Sequence, residues 1–173
     1  MKSELEDLTL KTLKPDIYRQ LEEKMGAQRG KYQKYMETVG SAIRQVLSDH
    51  GLSAEVKGRV KHINSIYRKM ESQNIEFEQV YDIVAFRVIV DSVRACYEAL
   101  GIINNMWTPV PGRMKDYIAL PKANMYQSLH TTVIGPTGER VEVQIRTRDM
   151  HKVAEEGIAA HWRYLSLIHI SEP

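Results

Sequence analysis

Val80-Tyr81-Asp82-Ile83-Val84-Ala85-Phe86-Arg87-Val88-Ile89-Val90 is the stretch on which the fold turns. Its β-branched and apolar residues predict a central strand buried on both faces. Asp82 is out of place there, because a buried carboxylate is costly unless it is paired or bound to a metal. Upstream, Ala54 to Val60 reads as a short strand, and His62 to Gln73 as a helix with Ile63, Ile66, Tyr67 and Met70 on one face. Downstream, Val93 to Asn104 is helical, followed by a loop with Pro109, Pro111 and Gly112. Leu129 to Ile134 and Arg140 to Ile145 flank Gly135-Pro136-Thr137-Gly138 and predict a hairpin. Asp149 to Tyr164 reads as a closing helix. Strands alternate with helices but include a hairpin, so a mixed β-sheet flanked by helices, of the α+β class, fits better than a doubly wound parallel one.

The N-terminal part carries no such constellation. Leu5, Leu8, Leu10, Leu13, Ile17 and Leu21 recur at roughly helical period, Pro15 opens a second helix, and a third runs from about Arg29 to Leu47 before His50-Gly51 stops it. Residues 1–50 are therefore expected to be a helical lead-in, and residues 51–164 the domain proper.

Composition narrows the class. With 43% hydrophobic and 27% charged residues, 173 residues suit one domain with a real core. No apolar run reaches membrane-spanning length and no secretory signal opens the chain, so a cytoplasmic location and no membrane partner are expected. Cys96 is the single cysteine, which excludes an internal disulfide and suits a small buried hydrophobe on a helix. A net charge of +2 provides no global field for nucleic acid. The cations are nevertheless grouped: Lys57, Arg59, Lys61, His62, Arg68 and Lys69, then Arg113, Lys115 and Lys122. Such runs usually mark a solvated face; the sharper reading is a phosphate site, which needs carboxylates nearby to hold a metal.

Those carboxylates have candidates. Asp82 lies within its apolar run and Glu142 stands between Val141 and Val143. Pairing with buried Arg87 and Arg146 is the bland alternative, and from the residues alone the two readings stand level. Arg59 and Lys61 alternate along an extended chain and share a face, the helix opening at His62 offers backbone donors to an anion, and Lys69 follows two turns later. The loop Arg113-Met114-Lys115-Asp116-Tyr117 and the run Pro121 to His130 (PKANMYQSLH) combine cations, amides, an imidazole and an aromatic, the set that a purine nucleotide requires. Alone, Tyr126 would be a packed aromatic and His130 a satisfied strand histidine.

Taken in order and at matching spacing, these segments resemble the synthetase domain of the RelA/SpoT family. The residues that carry the resemblance are Gly58-Arg59-x-Lys61-His62-Ile63-x-Ser65-Ile66-Tyr67-x-Lys69-Met70, Tyr81-Asp82-Ile83-x-Ala85-x-Arg87, Arg113-x-Lys115-Asp116-Tyr117-Ile118-Ala119-x-Pro121-Lys122, Tyr126-Gln127-Ser128-Leu129-His130-Thr131-Thr132-Val133 and Glu142-Val143-Gln144-Ile145-Arg146-Thr147. Met150-His151 and Ala154-Glu155-x-Gly157-x-Ala159-Ala160-His161-Trp162 complete the set. The resemblance implies a nucleotidyltransferase-like sheet and transfer of the β,γ-pyrophosphate of ATP to the 3′-hydroxyl of GDP or GTP, giving ppGpp or pppGpp.

It also implies residue roles. Asp82 and Glu142 would hold Mg2+, with Glu142 also taking the hydroxyl proton; Gln144, Arg113 and Lys115 would complete the catalytic set. Arg59 would lie on the adenine, and Lys61 and Lys69 on the ATP phosphates. Tyr126 would stack on guanine, with Lys122, Asn124, Gln127 and His130 holding the rest of the guanosine nucleotide. The Arg-x-Lys-Asp loop is the form that accompanies bifunctional enzymes. Implied partners are a hydrolase domain and C-terminal regulatory domains that sense ribosome and tRNA.

The pattern is broken in two places. Met125 occupies a position where glycine is usual before the stacking tyrosine, and Leu165 to Pro173 (LSLIHISEP) leaves the family pattern and is read as a non-native tail. Two rival readings remain: a catalytically silent guanosine-nucleotide-binding regulatory fragment, and an RNA-binding module on the same basic face. The carboxylate pair weighs against the first and the near-neutral charge against the second.

Overall fold

A computed structural model describes residues 2–156. Helices α1 (Lys2–Leu13), α2 (Pro15–Ala27) and α3 (Arg29–Asp49) come first, then β1 (Glu55–Val60), α4 (Ile63–Gln73) and a 3-10 turn (Phe77–Gln79). Strand β2 (Val84–Val90), α5 (Val93–Met106), β3 (Lys115–Asp116), β4 (Leu129–Ile134) and β5 (Arg140–Thr147) follow, and residues 148–156 are helical (α6). The expected closing helix and the tail at 165–173 lie beyond residue 156 in part or in full, outside the described residues.

The strands form one sheet in the order β1-β2-β5-β4-β3, parallel only between β2 and β5. This is the expected mixed sheet. Local chemistry explains the boundaries. Pro15 starts α2 at its first turn, where its missing N–H is not needed. Ser92 caps α5 by accepting from Ala95 N at 3.1 Å, and Asn74 closes α4 in the left-handed conformation, φ 51°. Gly138, φ 79°, lets the β4–β5 hairpin turn.

The sheet has two unlike faces. Val56, Val84, Phe86, Val88, Val90, Leu129, Val133, Val141, Val143 and Ile145 form one core with Val39, Ile43 and Leu47 of α3 and Cys96, Ala99 and Ile103 of α5. The third N-terminal helix thus belongs to the sheet's own core. A second cluster joins Leu21 of α2, Ile66 of α4, Phe77, Val80 and Ile83. Cys96 is buried, and burial pushes its thiol up to about 11, as suits an inert core residue.

One expectation about the deciding stretch needs correction. The strand begins at Val84, not Val80. Glu76 and Gln79 close the 3-10 turn reciprocally, Val80 N donates to Phe77 O at 3.1 Å, and β1 ends opposite Val84. Residues 81–83 therefore have no ladder beyond the bond from Lys61 N to Ile83 O, 2.8 Å. From Val84 onward the strand is buried on both faces, as expected, with Arg87 its one partly buried residue. The two-residue strand β3 was not anticipated; only its pairing with His130 and Leu129 defines it.

Candidate active site

The face turned away from α3 and α5 carries the candidate site residues. Side chains of partnered residues share a face, and alternate residues along a strand return to it. One row across the sheet is Lys57, Arg87, Gln144, His130 and Lys115; the next is Arg59, Ala85, Glu142 and Thr132. Five of the expected site residues, Arg59, Glu142, Gln144, His130 and Lys115, thus stand on one face although they come from four strands.

Asp82 and Lys61 lie just beyond the facing ends of β2 and β1. Lys61 Nζ donates to Glu142 Oε2 at 2.7 Å and to Asp82 Oδ2 at 3.1 Å, and Lys69 Nζ also pairs with Asp82 Oδ2. All four side chains are between 14% and 25% exposed, so their charges are poorly screened. Burial by itself would raise the Asp82 pKa; the Lys69 hydrogen bond and the Lys61 and Lys69 charges outweigh it and hold the carboxyl below its ordinary value. The alternative of arginine partners is overturned. Arg87 lies 3.8 Å from Glu155 of α6, and Arg146 is four residues along β5 from Glu142, about 13 Å at strand spacing.

Helix α4 also departs from expectation. Its N-terminal amide at Asn64 already donates to Asp7 Oδ1 of α1 at 2.8 Å, and Asn64 Nδ2 donates to Glu6 Oε2 at 3.2 Å. The helix end thus has carboxylate partners within the chain, because α1 packs across it.

The other end of the face is aromatic. Tyr126, Tyr117 and His130 meet edge to face, with ring centroids 5.3 to 6.2 Å apart. Tyr126 Oη lies 2.8 Å from His130 Nε2. Lys122 Nζ sits 4.6 Å from the Tyr117 ring centroid and 5.3 Å from that of Tyr126. Burial lowers the His130 pKa, with Lys122 and Arg146 acting in the same direction against Glu142. Asn124 Oδ1 accepts from Tyr126 N at 3.1 Å, and Gln127 Nε2 donates to Ile118 O at 3.3 Å, so these two amides shape the loop. Met125 has φ 67° and an exposed side chain, the left-handed conformation that glycine adopts at little cost.

Arg113 is exposed in the turn before β3, and its side chain makes no ion pair or hydrogen bond among the described residues. Tyr117 was not singled out from the sequence. Its signal was its place after Lys115-Asp116, but only the bond from Tyr117 N to Ser128 O, 2.9 Å, brings it beside Tyr126. Arg146, 5.9 Å from the Tyr126 ring, was missed as a member of this end of the site.

Residues 58–167 match the profile of the region found in RelA and SpoT proteins. The chain belongs to the RelA/SpoT family. Relatives in it include a GTP pyrophosphokinase of Myxococcus xanthus, 56% identical over 95% of this chain and 22% of the relative. A bifunctional (p)ppGpp synthase/hydrolase RelA of Mycobacterium tuberculosis is 46% identical over 95% of this chain and 22% of its own length. The chain thus spans about a fifth of the curated relatives it matches. Among solved structures, small alarmone synthetase 1 of Bacillus subtilis superposes with TM-score 0.56 at 27% identity, covering 83% of this chain and 79% of that one. The same synthetase bound to its product pppGpp gives 0.55 at 25%, covering 84% and 82%. These matches agree with the α+β sheet seen here. Within the family motif, residues 157–162 lie outside the described residues.

Proposed function

We propose that this RelA/SpoT chain transfers the β,γ-pyrophosphate of ATP to the 3′-hydroxyl of GDP or GTP, making ppGpp or pppGpp. The observation that carries the reading is the carboxylate–lysine cluster of Asp82, Glu142, Lys61 and Lys69, with an aromatic platform at the far end of the same sheet face. One end suits polyphosphate, the other a purine, and family membership joins the two.

The reaction forms a bond from the acceptor 3′-oxygen to the β-phosphorus and breaks that phosphorus's bond to the α-phosphate bridging oxygen, releasing AMP. Glu142 takes the hydroxyl proton. Lys61 and Lys69 turn to the β- and γ-phosphates, and Arg59, in the same row as Glu142, holds the adenine. Tyr126 stacks on guanine, while Lys122, Asn124, Gln127 and His130 fix the nucleotide around it; Gln144 and Lys115 line the path between, and Arg113 reaches in from the loop.

Two carboxylates converging on a single cation are hard oxygen ligands of the number that magnesium takes when phosphates and water fill its other positions. Asp82 and Glu142 would hold it, and when bound it neutralises charge on the transferring phosphates. The assembled cluster favours this reading over a silent nucleotide-binding fragment. We further infer a transferase domain over residues 51–164, with α3 packed into its core, that works beside hydrolase and regulatory domains in the cytoplasm. No described helix is long and apolar enough to cross a membrane.

The test is thin-layer separation of products from labelled ATP plus GDP, with and without magnesium. Labelled ppGpp that depends on the metal is the expected result, and its absence from folded protein would sink the proposal.

A further inference from the structure

The cation between the two carboxylates is Lys61 itself. Its Nζ is 2.7 Å from Glu142 Oε2 and 3.1 Å from Asp82 Oδ2, so it sits between the two carboxylates that would hold the metal. Lys69 pairs with the same Asp82 oxygen. Two carboxylates and two ammonium groups sum to zero charge. A free divalent ion approaching this cluster therefore meets no net attraction and must displace a well-placed ammonium.

We propose that Lys61 stands in for the metal and withholds both carboxylates from free divalent ions until nucleotide phosphates draw it away. The inference rests on the phosphate role proposed above for Lys61. Its consequence is an order of events. A polyphosphate is the stronger partner for an ammonium, so its arrival moves Lys61 off Glu142 and Asp82 and frees their oxygens. The metal site is assembled by the substrate, and the ion enters with the nucleotide rather than before it. A lysine serving only to pair the strand ends would leave the protein's own metal affinity unchanged when removed.

The decisive measurement is Mn2+ binding followed by electron paramagnetic resonance, which reads free and bound ion without any turnover. The parent protein is expected to take up Mn2+ weakly, and Lys61→Met at least about tenfold more tightly. Lys61→Arg, which keeps the charge, should remain as weak as the parent. A non-hydrolysable ATP analogue should raise Mn2+ uptake by the parent far more than by Lys61→Met. Lys61→Gln provides a second neutral variant should the methionine protein fail to fold, as judged by its thermal melt. The idea is overturned if the folded neutral variant binds Mn2+ no better than the parent, or if Lys61→Arg binds as tightly as the neutral variant. Because the readout needs no product, it stays distinct from the labelled-transfer test: a protein that makes no ppGpp fails there whatever its Mn2+ affinity.

Discussion

The Tyr126 hydroxyl and the His130 imidazole are 2.8 Å apart, and burial of the ring disfavours its charged form. Burial lowers its pKa from the ordinary 6.5. An unfolded chain therefore takes up the proton at higher pH than the folded one does. Stability should fall as pH drops below about 6.5 and level off once the folded imidazole is itself protonated. Burial lowers His151 in the same way, so His130→Gln should remove part of the dependence, not all of it. Thermal melts between pH 5 and 8 on parent and variant check this; identical slopes would count against His130.

The same pair separates ring from hydroxyl. Tyr126→Phe keeps the platform and loses a hydrogen bond of about 1 kcal/mol. Tyr126→Ala removes a stacking surface that contributes about 1–3 kcal/mol per base. The GDP requirement should rise roughly tenfold or more in the alanine variant and only a few-fold in the phenylalanine one. Equal GDP binding by calorimetry in parent and Tyr126→Ala would remove the stacking role.

Asp82→Asn and Glu142→Gln should each lower transfer roughly a thousandfold, about 4 kcal/mol of barrier, in protein that stays folded but melts lower because a lysine partner is left unpaired. Neither carboxylate packs in a hydrophobic cluster. Near-parental turnover at saturating magnesium in either variant contradicts the assignment.

Met125 has φ 67° with no side-chain burial in return. Left-handed backbone costs a non-glycine residue about 1–2 kcal/mol. Met125→Gly relieves that strain but gains unfolded-state entropy of similar size, so its melting temperature should stay close to the parent's. Met125→Val places a β-branched residue in the same conformation and should melt lower. GDP binding should be unchanged or tighter in Met125→Gly; weaker binding would mean the methionine makes a contact with the nucleotide.

Two glycines should respond with opposite signs. A Cβ at Gly58 would come 2.9 Å from Met36 Cγ and 3.1 Å from Met36 Cβ, so the Met36 side chain or the strand must shift. Gly58→Ala should cost about 1–3 kcal/mol. Gly101, exposed inside α5, has nothing within 4 Å, and Gly101→Ala should add about 0.5–1 kcal/mol. Denaturant titration of both decides whether close packing or backbone freedom governs each site.

Much of this was legible in the sequence because apolar periodicity marks the core. β-Branched runs identified β2 and the hairpin, and Asp82 and Glu142 were conspicuous because carboxylates interrupt such runs. What stayed hidden depended on distant partners. Nothing local shows that Lys61 will meet a residue 81 positions away, or that Asp7 will reach Asn64 across 57. Arginine was the plausible partner for a buried acid, and lysine took that place because β1 ends where β2 begins. Tyr117 and β3 escaped for the same reason, since a two-residue strand has no periodicity of its own.

The alternation along β5 has one more consequence. Val141, Val143 and Ile145 point into the apolar layer, while Glu142 and Gln144, the residues between them, point to the chemistry. A slip of one residue against β2 or β4 would send the carboxylate into the core and the valines into water. No stably packed molecule can therefore hold Glu142 one place out of line. The hydrophobic layer acts as a proofreader for the other face: a mispaired chain fails to fold and never presents a misaligned site.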